Sequence, residues 1–237
     1  MVLSERLMMS IGMIPKGKVV ADVGCDHARV AIWLVKNGIA PRVIATDLRT
    51  GPLSHADANI AYFHCEDKIE TRLSDGLMNL RPSEAEVILI AGMGGGLTVH
   101  ILSEGLDRIR LASDLVLQPQ SERGAVRRFL LEHDFSIVEE RCCVEDGKFY
   151  NSIHAVNRSL QREKTTDSEF LEEEYEFGRY LLQEKNPVLL DYLKNEYRKA
   201  LLVKASLESN HTESAQSRLP EFLKEMKVIE NALSFYE

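Results

Sequence analysis

The sequence predicts an α/β protein in which a mostly parallel sheet is wound with helices and is followed by a helical hairpin. Over the first 157 residues, short β-branched runs alternate with helical patterns, which is typical of a parallel sheet. Beyond that point apolar residues recur every three or four positions, as in helices that pack on one another. We therefore place one domain at residues 1–159 and a second at residues 160–237.

The parallel part of the sheet is predicted from five β-branched runs, near residues 19–23, 42–46, 69–73, 87–91 and 115–117. Helical patterns separate them, near residues 29–37, 52–64, 95–104 and 121–132. Two further extended segments follow and are joined at Asp146-Gly147, a dipeptide that favours a tight hairpin turn. An antiparallel hairpin is therefore expected to close the sheet.

The end of the chain carries two apolar stripes with helical spacing. One contains Leu190, Leu193, Tyr197 and Leu201, and the other contains Leu219, Phe222, Met226, Ile229, Leu233 and Tyr236. Each stripe can cover the other in an antiparallel, coiled-coil-like hairpin. Asn186-Pro187 is the expected start of the first helix. We interpret the stripes as packing surfaces and not as a cofactor site.

Composition limits the classes of protein that remain. The chain has 237 residues, 44% of them hydrophobic, and no apolar run of the ~20 residues that a membrane-spanning helix needs. Its N-terminus lacks the pattern of a signal peptide, so we expect a cytoplasmic location and no membrane partner. The four cysteines include no C-x-x-C pair, and we expect no metal.

The net charge of −8 argues mildly against a nucleic-acid partner, although a local basic patch is sufficient for binding. Arginines and lysines that could form such a patch occur at three places in the chain: Arg6, Lys16 and Lys18; Arg123, Arg127 and Arg128; and Lys185. Scattered solvated charge is the alternative explanation for each of them.

Polar and glycine-rich loops follow four of the predicted strands. Asp22-Val23-Gly24-Cys25-Asp26-His27 follows the first, Asp47 ends the second, "SDGL" (74–77) follows the third and "AGMGGG" (91–96) ends the fourth. Ligands of open α/β sheets bind at the carboxyl ends of the strands. An acid about 20 residues after the first loop suits the hydroxyls of a ribose. A single loop of this kind could serve only a turn or a helix cap, but four in order favour a ligand site.

Two classes of ligand compete for this site, dinucleotides such as NAD and S-adenosylmethionine. A pyrophosphate needs the glycines of G-x-G-x-x-G, and here only Gly24 is present. Asp26 occupies the position of the second glycine, where its carboxylate would repel phosphate. S-adenosylmethionine has no phosphate and carries an ammonium beside its sulfonium. The loop therefore favours the methyl donor, and Asp75 could accept a hydrogen bond from its adenine amino group.

Several motifs together resemble the bacterial tRNA (adenine(22)-N1)-methyltransferases. They are "DVGCDHARV", "SDGL", "VILIAGMGGGL", "LVLQPQ", "VEDGKFY" and "LLQEKNP", and they extend over nearly the whole chain. The resemblance implies a Rossmann-like, seven-stranded class I methyltransferase domain, a C-terminal helical domain that helps to hold tRNA, S-adenosylmethionine as donor and no metal. We further expect a monomer.

Matched residue by residue, the family's donor site falls on ten positions: Asp22, Gly24, Asp26, His27, Asp47, Asp75, Gly76, Ala91, Gly92 and Met93. The expected catalytic residue is Asp26, which could accept a proton from the methylated base, with His27 and Gln118 as alternatives. The expected tRNA contacts are Arg6, Arg123, Arg127 and Lys185. Glycines replace the Asn/Asp-Pro-Pro-aromatic motif of many enzymes that methylate exocyclic amines, which favours a ring nitrogen as acceptor.

Two other functions stay open at this point. An NAD-dependent oxidoreductase is disfavoured by the missing glycines, and a non-catalytic RNA- or partner-binding protein with the same fold is not excluded. Ligand binding and methyl transfer to tRNA would distinguish the three.

Overall fold

The computed structural model describes residues 2–161, 169–210 and 212–237. The chain divides into two compact units, Met1–Asp167 and Ser168–Glu237. The boundary predicted at residue 160 lies close to this division and stays a prediction.

Seven strands form the sheet of the first unit. They are β1 (Val20–Val23), β2 (Val43–Asp47), β3 (Ile69–Leu73), β4 (Val87–Met93), β5 (Asp114–Pro119), β6 (Phe135–Glu145) and β7 (Lys148–Asn157). Their order is β3-β2-β1-β4-β5-β7-β6. The first five strands are parallel, whereas β7 pairs antiparallel with both β5 and β6. The predicted fold class is confirmed.

Burial explains the composition of the central strands. All four residues of β1 and all five of β2 are buried, as expected for strands with helices on both faces. Ile44, Ile88 and Val116 have no exposed surface. Because the strands run in the same direction, their carboxyl ends meet along one edge, and the strand order reverses there between β1 and β4.

Six α-helices and one short 3-10 helix (Arg158–Leu160) belong to the described part of this unit. The α-helices are α1 (Glu5–Ile11), α2 (Arg29–Lys36), α3 (Thr50–Tyr62), α4 (Gly95–Glu104), α5 (Leu106–Ile109) and α6 (Arg123–Glu132). α1 and α6 pack on opposite faces of β7. Ser10 of α1 hydrogen-bonds Ser152, whereas Arg127 of α6 hydrogen-bonds the adjacent residue Asn151. This alternation follows from the two-residue period of a strand.

The second unit contains four helices in its described residues, α7 (Glu172–Phe177), α8 (Arg179–Gln183), α9 (Pro187–Ser209) and α10 (Glu213–Ser234). Asn186 caps α9 as predicted, since its side chain accepts hydrogen bonds from the backbone N–H groups of Val188 and Leu189. The hydroxyl of Tyr236 donates to the carbonyl of Asn186, which places the end of α10 beside the start of α9. The two helices are therefore antiparallel.

One residue of the predicted apolar stripe does not pack as expected. Leu189, Leu193 and Ala200 are the buried residues of α9, while Leu201 is 43% exposed. The buried face is therefore rotated slightly from the predicted one. Nowhere in the described ranges is a helix both long and apolar enough to cross a membrane.

Candidate active site

A cleft of about 540 Å³ lies at the carboxyl ends of β1 and β4. Loops from β1, β2, β3 and β4 line it, together with the segment that leads into α1. All of the residues predicted to bind the donor are in its lining: Asp22, Gly24, Asp26, His27, Asp47, Asp75, Gly76, Ala91, Gly92 and Met93. The topology thus brings together four loops that are far apart in the sequence.

The loop after β1 has an unusual backbone. Gly24 has φ +73°, and a Cβ added there would lie 2.3 Å from Cε of Met93. Asp26 and Ala28 also have positive φ, 51° and 53°. For residues with a side chain this conformation costs about 1–3 kcal/mol, and such strain is concentrated at ligand sites. Glycine adopts this conformation freely and aspartate more readily than most residues, so the strain of the loop falls mainly on Ala28.

Asp26 and His27 stand at the open side of this loop. The Asp26 side chain is 72% exposed and that of His27 is 43% exposed, with 3.6 Å between His27 Nε2 and Asp26 Oδ1. The His27 ring also meets the edge of His55, at 5.2 Å between centroids. The Asp26 carboxylate is consequently accessible to a ligand, and His27 is held beside it.

Asp22 lies at the floor of the cleft and is only 5% exposed. Burial raises the pKa of its carboxyl to about 7, against the opposing effect of a hydrogen bond from the backbone of Ala31. Among the described residues its Oδ2 has no hydrogen-bond partner, and neither has the buried hydroxyl of Ser4, which also lines the cleft. Such groups are rarely left unpaired, so both are suited to a polar ligand.

Asp47 and Asp75 occupy the ends of neighbouring strands. Asp47 is 8% exposed, and its Oδ1 accepts a hydrogen bond of 3.0 Å from the backbone N–H of Arg49. Asp75 is exposed in the turn after β3. Gly76 has φ +50°, and a Cβ there would lie 2.9 Å from Cγ2 of Ile101. Gly76 is thus also required for α4 to pack against this turn.

The wall after β4 combines a bulge with close packing. The register with β5 shifts between Ala91 and Met93, and Gly92 within this bulge has φ +82°. A Cβ on Gly95 would lie 2.3 Å from the carbonyl oxygen of Ser121. The backbone N–H of Gly96 donates to Glu122 Oε2 at 2.9 Å. The later glycines of "AGMGGG" therefore join α4 to the start of α6, while the earlier residues face the cleft.

Gln118 lies outside the cleft lining and is 1% exposed. Its Oε1 accepts a hydrogen bond from Nη1 of Arg6 at 3.0 Å, and its Nε2 donates to the backbone carbonyl of Arg6 at 2.8 Å. A buried amide whose oxygen already accepts from a guanidinium is poorly suited to take up a proton. This geometry argues against the predicted catalytic role of Gln118.

The four side chains predicted to contact tRNA lie in different environments. Arg6 lines the cleft, Lys185 is exposed, and Arg123 is half-buried against the Phe149 ring, 5.2 Å from its centroid. The prediction for Arg127 is wrong, because this side chain is fully buried and pairs with Glu140 at 2.8 Å. The Arg127 guanidinium therefore pairs with a carboxylate inside the first unit and is not at the surface, where a tRNA would bind.

The contribution of the N-terminal segment to the cleft was not predicted from the sequence. Leu3, Ser4 and Leu7 line the cleft beside Arg6, and Arg29 donates a hydrogen bond of 2.6 Å to the backbone carbonyl of Val2. The spacing of Leu3, Leu7 and Ile11 is helical and could have indicated α1.

Sequence similarity to known proteins identifies the family of this chain. The model of a family described as a methyltransferase domain matches residues 3–153. A relative from Bacillus subtilis (strain 168), tRNA (adenine(22)-N(1))-methyltransferase, is 31% identical over 98% of this chain and 97% of its own length. The chain belongs to this methyltransferase family. The resemblance seen in the sequence motifs is thereby confirmed.

Solved structures of family members are similar over nearly the whole chain. The crystal structure of the B. subtilis m1A22 tRNA methyltransferase superimposes with a TM-score of 0.87 at 30% identity, covering 98% of this chain and 99% of the other. A Streptococcus pneumoniae protein, Sp1610, in complex with S-adenosyl-L-methionine gives a TM-score of 0.84 at 29% identity, covering 98% and 100%. The fold of both units therefore belongs to the family as well.

The residues of the cleft fit S-adenosylmethionine. Four carboxylates line the cleft, those of Asp22, Asp26, Asp47 and Asp75. The buried Oδ2 of Asp22 has no hydrogen-bond donor among the described residues. An ammonium group supplies such a donor. Three arginines, Arg6, Arg29 and Arg49, also line the cleft, but Arg29 and Arg49 are exposed and contact Val2 and Asp47.

Proposed function

We propose that the protein transfers a methyl group from S-adenosyl-L-methionine to N1 of adenine 22 in tRNA. One observation carries this proposal: a chain that is 31% identical to the B. subtilis tRNA (adenine(22)-N(1))-methyltransferase over 98% of its length gathers all of the predicted donor-binding residues in one cleft.

We assign each end of the donor to particular residues of the cleft. The buried, unpaired oxygen of Asp22 accepts a hydrogen bond from the ammonium group, close to the wall formed by Ala91, Gly92 and Met93. Asp47 accepts hydrogen bonds from the ribose hydroxyls, since it ends the second strand of the sheet. Asp75 and Gly76 lie beside the adenine. NAD is disfavoured because Asp26 stands where the pyrophosphate would bind.

Methyl transfer to adenine N1 depends more on the positioning of donor and acceptor than on a strong acid or base. When bound, S-adenosylmethionine supplies an electrophilic methyl group, and adenine N1 has an in-plane lone pair that can attack it. The protein excludes water and aligns the two groups. The product is cationic until its exocyclic amine loses a proton. Asp26 is the proposed acceptor of that proton, because its carboxylate is exposed at the open side of the cleft. His27 is the alternative.

Binding of tRNA is proposed to involve both units of the chain. Arg6 lies at the cleft, Arg123 on α6 and Lys185 between α8 and α9, and local cations of this kind can hold phosphates despite a net charge of −8. We propose residues 160–237 as the tRNA-docking domain. Because tRNA is the substrate, we place the protein in the cytoplasm.

Two titrations and one assay test the proposal. The full chain should bind S-adenosyl-L-methionine in calorimetry and show no comparable signal with NAD. It should also incorporate methyl groups into unmodified tRNA. Tight NAD binding without donor binding would indicate an oxidoreductase. Donor binding without methyl transfer to any tRNA would indicate a non-catalytic binding protein.

A further inference from the structure

An arginine and a tyrosine form a layered pair at the rim of the donor cleft. Arg6 lines the cleft, and its guanidinium carbon lies 5.4 Å from the centroid of the Tyr150 ring. Its side chain is 25% exposed. Arg6 comes from α1 and Tyr150 from β7, so the pair joins two distant parts of the first unit at the edge of the site.

Three hydrogen bonds or ion pairs hold Arg6 in this position. The Gln118 side chain binds both the guanidinium and the backbone carbonyl of Arg6, at 3.0 Å and 2.8 Å. Glu145 pairs with Nε of Arg6 at 3.4 Å. An arginine that only attracts phosphate does not need such constraint. A fixed guanidinium plane, by contrast, loses little conformational entropy when a flat group binds it.

Arg6 also lies next to the wall expected beside the methionine end of the donor. A Cβ added to Gly92 would lie 3.5 Å from Nη1 of Arg6 and 3.8 Å from Nε2 of Gln120. These are ordinary contact distances, so the Arg6 guanidinium lies directly beside the Gly92 backbone. A base that contacts this guanidinium would therefore lie close to the wall at which the methionine end of the donor is proposed to bind.

From this arrangement we propose that the acceptor base stacks on the Arg6 guanidinium, with Tyr150 behind it and Gln118 as the residue that positions Arg6. The proposal rests on the proposed function and adds the subsite for the adenine ring. Arginine planes and aromatic rings are the usual stacking partners of unpaired bases in RNA recognition. The Glu145 carboxylate offsets the charge of Arg6, so that the plane does not oppose the positive charge that develops on the adenine.

The proposal is tested with full-length variants in methyl transfer to tRNA. Tyr150→Leu removes the aromatic ring, and Tyr150→Phe keeps it. Arg6→Lys keeps the positive charge but removes the planar guanidinium group. Tyr62→Leu is the control, since Tyr62 is 77% exposed on α3 and lies outside the cleft lining. For each variant kcat and KM for tRNA, donor Kd by calorimetry and the melting temperature are measured.

Loss of stacking should lower kcat/KM for tRNA by about tenfold or more in Tyr150→Leu and in Arg6→Lys. Tyr150→Phe and the control should stay near wild type, and the donor Kd of all variants should be unchanged. Wild-type kcat/KM in Arg6→Lys overturns the proposal even if Tyr150→Leu does not fold, and so does a loss of donor affinity that accounts for the fall. A wild-type chain that methylates no tRNA would instead contradict the proposed function.

Discussion

Gly24 and Met93 approach each other so closely that a Cβ on Gly24 would lie 2.3 Å from Cε of Met93. Gly24→Ala should therefore displace the flexible end of Met93 into the cleft and weaken donor binding by about tenfold or more, since a displaced side chain occupies space that the ligand needs. Isothermal titration calorimetry with S-adenosyl-L-methionine measures this effect.

Gly38→Ala is the matched control for this substitution. Gly38 has φ +65°, similar to the +73° of Gly24, but a Cβ there would meet nothing within 4 Å. Both variants should lose about 1 kcal/mol or somewhat more of stability from backbone strain. Only Gly24→Ala should lose donor affinity. Equal donor affinity in the two variants would show that displacement of Met93 does not affect donor binding.

Donor affinity should depend on pH through Asp22. Burial raises the pKa of this carboxyl to about 7, so the carboxyl is mostly neutral at pH 6 and mostly ionised at pH 8. Because an ammonium group prefers the carboxylate, the affinity should be about tenfold weaker at pH 6 than at pH 8. Calorimetry at both values checks this, and Asp22→Asn should bind weakly with no such dependence.

The Asp22 carboxyl should also make stability depend on pH. Whereas donor affinity should rise with pH, the contribution of this carboxyl to stability should fall. Between its ordinary pKa of 3.8 and the raised value of about 7, the native protein keeps a proton that the unfolded chain has lost. The contribution of Asp22 to the free energy of unfolding therefore falls as the pH rises through this window. Urea unfolding of the wild type and of Asp22→Asn should show that the substitution removes this decline. Parallel pH profiles would contradict the assignment.

Asp47→Ala should weaken donor binding by at least about tenfold without unfolding the first unit, because hydrogen bonds to a charged group contribute about 1.5–3 kcal/mol each. Asp67→Ala is a suitable control, since Asp67 is an exposed acid just before β3, at the opposite edge of the sheet. Calorimetry and circular dichroism separate binding from folding. Unchanged affinity in Asp47→Ala would exclude this residue from the ribose site.

Arg127→Met should reduce the free energy of unfolding by about 3–5 kcal/mol, because it removes a cation that pairs with the buried Glu140 carboxylate. The measurement is urea unfolding followed by circular dichroism. Arg110→Met, at an exposed position, should change stability little. If Arg127→Met were stable and had lost only tRNA affinity, Arg127 would contact tRNA, as the sequence predicted.

Lys185→Glu should raise the Kd for tRNA severalfold and reduce the slope of log Kd against log salt by about one or two, as expected when one phosphate contact is lost and a repulsive charge is added. Lys36→Glu is the control, because Lys36 ends α2 at the edge of the sheet away from the cleft. Filter binding at several salt concentrations gives both quantities. Equal effects of the two variants would contradict a specific role for Lys185.

Local patterns predicted much of this fold. The strand at Ile69–Leu73 and the helix at Gly95–Glu104 have the bounds expected from the sequence, since their periodicity and punctuation are local. The meeting of Asp22, Asp47 and Asp75 was also predictable, because parallel strands end at one edge of the sheet.

Long-range pairing could not be predicted in the same way. Arg127 looks like a surface cation in the sequence, and only its contacts with Glu140 and Asn151 from β6 and β7 show that it is buried. Gln118 and Arg6 are 112 residues apart, so their interaction carries no local signal. The positive φ of Ala28 likewise has no local signal, because alanine rarely adopts this conformation.

The most direct test of the account is mass-spectrometric mapping of methylated nucleosides in unmodified tRNA incubated with the full chain and S-adenosyl-L-methionine. A tRNA with guanine in place of adenine 22 is the control. We expect 1-methyladenosine at position 22 and no methylation of the control. Methylation at another position or of an exocyclic amine, or none at all, would contradict it.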